Sequence, residues 1–232
     1  FLYVSRSLGI VSYEVAADGT LTEIGDLSDD GTLFLNENIG KLATVDVAGV
    51  SYLIGKGQID DGISVFSVAA NGALTNTANL SLSDPSTPAL NTPGDVTTAT
   101  ISGNTFIFVP SIVDDAITSF QLNPGGTLTE VDSILDSDAP SDLALDGAID
   151  TAIAVVGGIT YLYVAGFEDD GISVFSVDAT GTMTNVQNYN NGDFPTFFIN
   201  GPYALNSFTV EGATFLTVSE FGAGTNDTVF FF

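Results

Sequence analysis

The chain repeats itself, and the repeat limits what it can fold into more than any other feature. Tyr52 to Thr75 reads YLIGKGQIDDGISVFSVAANGALT, Phe106 to Thr129 reads FIFVPSIVDDAITSFQLNPGGTLT, and Tyr161 to Thr184 reads YLYVAGFEDDGISVFSVDATGTMT. The paired aspartates fall at Asp60/Asp61, Asp114/Asp115 and Asp169/Asp170, spacings of 54 and 55 residues. Phe1 to Thr22 is the same unit with two residues and the Asp pair deleted, and Phe215 to Phe232 begins a fifth copy. The units run approximately 1–51, 52–105, 106–160, 161–214 and 215–232. A period of this size points to stacked or radial copies of one supersecondary unit, and the whole of 1–232 reads as a single region of that kind.

Each unit parses into four short strands. In the third full copy, Thr151 to Val156 and Tyr161 to Val164 flank Gly157-Gly158, a tight hairpin signal. Ile172 to Val177 follows the Asp pair, and a Thr180-Gly181 turn leads to Met183 to Val186. The turn recurs as Asp18-Gly19, Asn71-Gly72 and Gly125-Gly126, where positive φ is tolerated. Four antiparallel strands per unit make a meander. Tyr161-Leu162-Tyr163-Val164 is continuously apolar, so these sheets are covered on both faces. The strand before the Gly turn is built of smaller residues, as in Thr97-Thr98-Ala99-Thr100-Ile101 and Thr151-Ala152-Ile153-Ala154-Val155. Small side chains suit an axis where sheets converge, and larger ones suit the wider spacing outside it. The expected fold is therefore an all-β propeller of four-stranded antiparallel blades with a repeat of about 54 residues.

The YLYVAG…DDGISVFSV…GTLT units resemble the YVTN-type repeats of lactonase-like β-propellers and of the long propeller-repeat regions in large secreted, acidic, calcium-associated bacterial proteins. The resemblance covers nearly the whole chain, and DDGISVFSV is its most specific string. A lactonase-type propeller implies a catalytic tunnel using His, Arg and Glu. This chain has no His and one arginine, Arg6, so no catalytic residue is carried over.

Composition narrows the chemistry. Three basic residues, Arg6, Lys41 and Lys56, stand against 29 acidic ones, a formal charge of −26. A phosphate backbone is neutralised by Lys and Arg, so nucleic acid is not an expected partner, and a basic membrane-surface patch is excluded. Without cysteine or histidine there are no disulfides, thiol nucleophiles, thiolate metal sites or imidazole bases. No segment approaches 18 consecutive apolar residues, so no membrane-inserted helix is expected. Hydrophobic residues at 44% supply a real core, so the acidity does not signal disorder.

Three features are candidates for function. Asp60, Asp61, Asp114, Asp115, Asp169 and Asp170, on the loop between the second and third strands, could hold calcium, a hard cation that takes six to eight oxygens. The competing reading is a turn in which Asp caps backbone and Gly62 or Gly171 makes the bend. Asp132, Asp136, Asp138, Asp142 and Asp146 form a second acidic run, placed in the loop leading to an inner strand. It reads either as paired carboxylates for glycoside hydrolysis or as a hydrated loop. The loop Gln187 to Tyr203 carries Tyr189, Phe194, Phe197, Phe198 and Tyr203, a contact surface for sugar or protein, or packing over a blade edge.

Near-identical repeats argue for a platform, because an active site needs positions that break the repeat. The expectation is a non-enzymatic structural or adhesive module, extracellular or at a bacterial cell surface, assembling with calcium. Its partners would be flanking repeats or other chains, as a homo-oligomer or filament. The alternative is a lactonase-like hydrolase with its site in the central tunnel. About 4.3 units are present, whereas a ring of five to seven blades needs roughly 270 to 380 residues. The first unit starts at a second strand and the last stops before its outer strand, so the expected propeller is incomplete, a segment of a longer protein or one completed by a neighbouring chain.

Overall fold

The computed structural model describes residues 1–36, 40–83, 89–140, 142–193 and 199–221, and the backbone of 228–231. The described residues form five antiparallel meanders and no helix. The first sheet has three strands, β1 (Leu2–Arg6), β2 (Gly9–Val15) and β3 (Leu21–Ser28). Three four-stranded sheets follow. They are β4 (Ala43–Val47), β5 (Val50–Gly57), β6 (Gly62–Val68) and β7 (Leu74–Ser81); β8 (Thr97–Ile101), β9 (Asn104–Ser111), β10 (Ala116–Leu122) and β11 (Leu128–Leu135); and β12 (Ala148–Val156), β13 (Ile159–Gly166), β14 (Gly171–Val177) and β15 (Met183–Asn190). The last sheet, β16 (Pro202–Val210), β17 (Ala213–Glu220) and β18 (Thr228–Phe231), again has three. These are propeller blades; among the described residues the first comprises a second, a third and an outer strand, and the fifth an inner, a second and a third.

The sequence units and the blades are out of phase. DDGISVFSV covers the turn after the second strand and the third strand, and a unit that opens at Tyr52, within the second strand, takes in the inner strand of the following blade, β8. Asp132 lies within β11 rather than in the loop beyond it, which corrects the reading of the second acidic run; Asp136, Asp138 and Asp142 do occupy that loop. In the aromatic segment, Tyr189 belongs to β15 and Tyr203 to β16, while Phe194, Phe197 and Phe198 lie outside the described residues.

The core sits between blades. Leu53 and Phe66 of the second blade bury against Ile10, and Ile54 and Val65 on its other face bury against Ile107 and Phe120 of the third. Phe106 and Phe108 then meet Leu162 and Phe175, and Tyr163 and Val174 meet Leu205 and Leu216. Alternate residues of a strand point to opposite faces, so a second strand with both parities apolar serves two such interfaces. Truncating one of these buried leucines to alanine removes about 2–5 kcal/mol. At the first blade one such face is uncovered among the described residues. Leu2 is 40% and Val4 43% exposed, whereas their repeat equivalents Leu162 and Val164 are fully buried.

Candidate functional site

The Asp pairs do the same thing three times. Each pair occupies the turn between the second and third strands, with Asp61, Asp115 and Asp170 in the left-handed region at φ 50°, 52° and 53°. The first member accepts a backbone N–H from the loop entering its own blade: Asn36 to Asp60 at 2.8 Å, Asn91 to Asp114 at 2.9 Å, Asp146 to Asp169 at 2.9 Å. The second accepts one from the loop entering the next blade: Thr92 to Asp61 at 2.8 Å, Gly147 to Asp115 at 3.0 Å, Gly201 to Asp170 at 2.7 Å. Each pair thus clips two blades together through groups that would otherwise lose water without a replacement partner. The caps fall on backbone 23 to 32 residues away, rather than on the aspartates' own turn. Among the described residues no three carboxylates converge as a metal site. Burial foremost, with neighbouring acids, among them Asp115 and Asp136, raises the Asp146 and Asp169 carboxyls from their ordinary value, and at Asp169 the Asp146 N–H partly offsets this. Asp132 and Asp136 cap backbone too, on Met183 (2.8 Å) and Leu145 (3.1 Å).

A different arrangement lies where the inner strands begin. A cavity of about 360 Å³ is lined by Gly40, Lys41, Lys56, Gln58, Asp95, Ile149 and Tyr203, contributed by four successive blades. Here the repeat is broken. Lys41, Asp95, Asp150 and Ala204 occupy one repeat position, and Lys56, Pro110, Ala165 and Ser219 another. Two of the chain's three basic residues therefore meet two carboxylates at this mouth.

Local backbone explains how they meet. Opposite β13, Ile149 is an extra residue between Ala148 and Asp150, and opposite β17, Tyr203 is an extra residue between Pro202 and Ala204. A bulge of this kind bends the strand and re-aims the side chain that follows. Asp150 is thereby buried, accepting N–H bonds from Thr151 (2.7 Å) and Leu205 (2.8 Å), with Lys41 Nζ at 3.7 Å from Oδ1. Burial outweighs the lysine and the two N–H groups, and pushes the Asp150 carboxyl up to about 6.

Asp95 faces the cavity, its side chain 30% exposed. Its Oδ1 accepts the Lys41 backbone N–H at 3.1 Å and lies 3.0 Å from Lys56 Nζ, which also donates to the Pro93 carbonyl at 3.2 Å. The approach depends on Gly40, where a Cβ would stand 2.3 Å from that oxygen. The Lys56 ammonium, buried at its base, is held by a carboxylate and a carbonyl, which fixes Asp95 against it. On the rim, Tyr203 is 50% exposed and meets Phe167 edge-on (centroids 6.3 Å) and Phe221 in a tilted pair (5.6 Å). The site thus offers an accessible carboxylate, a half-exposed ammonium, a protonatable buried carboxyl and an aromatic face.

Sequence reasoning singled out Tyr203 and missed Lys41, Lys56, Asp95 and Asp150. The signal that finds them is the repeat itself, read for the positions where one unit departs from the others.

Comparison with known proteins gives fold relatives. No family model matches the chain, and no curated protein does. Among solved structures it is similar to a protein from Lactobacillus plantarum, at 17% identity and a TM-score of 0.62, covering 98% of this chain and 62% of that one. It is also similar to a candidate 6-phosphogluconolactonase from Bacteroides uniformis (18%, TM-score 0.61, 94% and 62%) and to an exo-beta-1,3-galactanase from Phanerochaete chrysosporium (14%, TM-score 0.54, 81% and 45%). The chain spans under two thirds of the length of these structures. At such identities the likeness shows the fold alone, a β-propeller.

Proposed function

We propose that the axial mouth is the active site of a hydrolase for a sugar-derived lactone. The observation that carries this reading is the convergence of Lys41, Lys56, Asp95 and Asp150 at two repeat positions whose residue type and charge change from blade to blade. In this reading Asp95 takes a proton from the water that attacks the lactone carbonyl, and the Lys41 ammonium stabilises the oxyanion that develops there. Collapse of the tetrahedral intermediate breaks the ring C–O bond, and the departing oxygen takes the proton that Asp95 received, which returns Asp95 to its carboxylate. Lys56 is a positioning residue that sets the Asp95 carboxylate, and the Tyr203 face offers a platform for a sugar ring. Structural likeness to a candidate lactonase supports the reaction class. Likeness to a galactanase supports a glycoside as the competing substrate. The test is proton release from aldono-δ-lactones, followed by pH-stat, beside release of aryl alcohol from aryl β-galactosides. Lactone turnover above the buffer rate, reduced at least about tenfold in Lys41→Ala, is expected. Turnover of glycosides alone would replace the substrate class, and no turnover of either would refute the reading.

A second reading has its own support. The exposure of Leu2 and Val4, where equivalent residues are buried between blades, favours an extracellular structural or adhesive module that joins other chains or flanking repeats. Calcium would strengthen such assembly by screening a charge of −26. Light scattering that rises from chelator to millimolar calcium supports this reading; scattering independent of calcium and of Leu2→Asp contradicts it.

A further inference from the structure

Of the chain's three basic side chains, two are spent on protein partners. Arg6 donates to Asp26 and Ser28 on the first blade, and Lys56 meets Asp95 at 3.0 Å and the Pro93 carbonyl at 3.2 Å. Lys41 differs. Its backbone N–H is tied to Asp95 at 3.1 Å, but its ammonium stands 3.7 Å from Asp150 Oδ1, beyond hydrogen-bond length, and its side chain is 43% exposed at the axial cavity. An ammonium has three N–H donors and no acceptor, so Lys41 offers donors to whatever enters.

The carboxylate behind it is in the opposite condition. The Asp150 side chain is 4% exposed, and its two oxygens accept the Thr151 and Leu205 N–H groups. The charged groups that act on it are Lys41, from the segment entering β4, and Asp95, from the segment entering β8. Strands β8, β9, β13 and β16 contain no charged residue, and Glu220 of β17 accepts the Asn200 N–H at 3.3 Å instead. Lys41 is therefore the one cationic partner of Asp150 among the described residues. With Lys41, Lys56, Asp95 and Asp150 all ionised, two positive charges cancel two negative ones. An anion that draws the Lys41 ammonium to itself leaves a buried carboxylate near Asp95 without a counter-charge, and such a group takes a proton. The cavity is then net positive, and the anion is held. Burial already pushes the Asp150 carboxyl up to about 6, so the step lies within reach of neutral pH.

We propose that the axial cavity is a proton-linked site for a small organic carboxylate: the ligand takes the Lys41 ammonium, and Asp150 takes a proton from solvent as it binds. The identity of the ligand rests on the hydrolase reading, because opening a sugar lactone yields a polyhydroxy acid whose carboxylate forms beside Lys41. The acid product is then retained more tightly as pH falls, and turnover is inhibited by its own product below about pH 6.

The probe is sodium D-gluconate, titrated against the full chain and followed by the Lys41 side-chain NMR signal, which is readily assigned because Lys56 is the only other lysine. A saturable shift is expected, with affinity about tenfold higher at pH 5 than at pH 7, the ratio set by a group titrating at about 6. In Asp150→Asn the affinity should be the same at both pH values to within about twofold, and neutral D-glucitol should show no such pH dependence in either protein. If Asp150→Asn fails to fold, proton uptake decides: the native chain in unbuffered solution at pH 7 should take up about one proton per gluconate bound. No saturable shift at Lys41, equal affinity at the two pH values, pH dependence that persists in Asp150→Asn, or binding without proton uptake would overturn the inference. Lactone turnover beside pH-independent gluconate binding overturns it and leaves the hydrolase reading standing. Proton-linked binding without lactone turnover refutes that reading and leaves the carboxylate site.

Discussion

Two rings of charge lie toward the same end of the propeller and follow opposite rules. Around the loops, Asp60/Asp61, Asp114/Asp115 and Asp169/Asp170 are copied blade by blade, and each makes the same pair of backbone contacts. Around the axis, one repeat position carries Lys41, Asp95, Asp150 and Ala204, four residues with three kinds of charge. The copied residues solve a problem that every blade has, the satisfaction of loop N–H groups between neighbours. The uncopied ones solve a problem that arises once, where the blades meet. In a repeat protein, departure from the repeat is therefore the better guide to chemistry than an abundant motif.

The largest expected effect concerns Asp150. Its carboxyl titrates near the ordinary value of 3.8 in the unfolded chain and at about 6 when folded. The folded state therefore binds the proton more tightly. The resulting stabilisation is fully present below about pH 3.8 and is lost as pH rises through about 6. A shift of this size corresponds to about 3 kcal/mol. Urea unfolding at pH 4 and pH 7 should show a gain on acidification in the native chain that exceeds the gain in Asp150→Asn by an amount of this order. Identical pH dependence in the two proteins would remove the buried carboxyl from the account.

Next in size is a clip. Asp115→Ala leaves the Gly147 N–H without its acceptor and should lower stability by about 1–3 kcal/mol. Asp115→Asn keeps an oxygen acceptor and should recover most of the loss. A calcium ligand would behave differently, since an amide replaces the charge poorly. Thermal melts of both variants, with chelator and with calcium, therefore sharpen the contrast between clip and cation site.

The smallest effect is at Thr92, which holds φ 57° where Gly147 and Gly201 hold 65° and 55°. A β-branched residue is strained there, and glycine relieves the strain at some cost in chain entropy. Thr92→Gly should raise stability by about 0.5–1 kcal/mol, read as a melting temperature a few degrees higher at most.

What was legible in the sequence follows the same division. The Gly turns, the paired apolar strands and the small residues of β8 and β12 specify blades, because local chemistry repeated at a fixed period leaves few other folds. The strand order within a blade was legible too, since the Gly157-Gly158 turn and the Asp pair place β12, β13, β14 and β15 as inner, second, third and outer strands; only the unit boundaries, drawn at the conspicuous second strand, cut across blades. The candidate site was hidden for a physical reason. Asp95 and Asp150 are 55 residues apart, and only the bulge at Ile149, the opening at Gly40 and the N–H of Leu205 turn that spacing into a cluster. The Asp pairs were conspicuous because they recur, and the structure gives them neighbouring backbone as partners.

The most direct test of the central claim sets the two rings against each other in one assay. Lactone turnover, as kcat/KM per folded molecule, is measured for the native chain, for Asp95→Asn at the axis and for Asp115→Asn in a clip. If the broken repeat positions carry the chemistry, Asp95→Asn loses about a hundredfold or more while Asp115→Asn stays within about twofold of the native chain. Native turnover that survives in Asp95→Asn, or falls equally in both variants, would contradict the account.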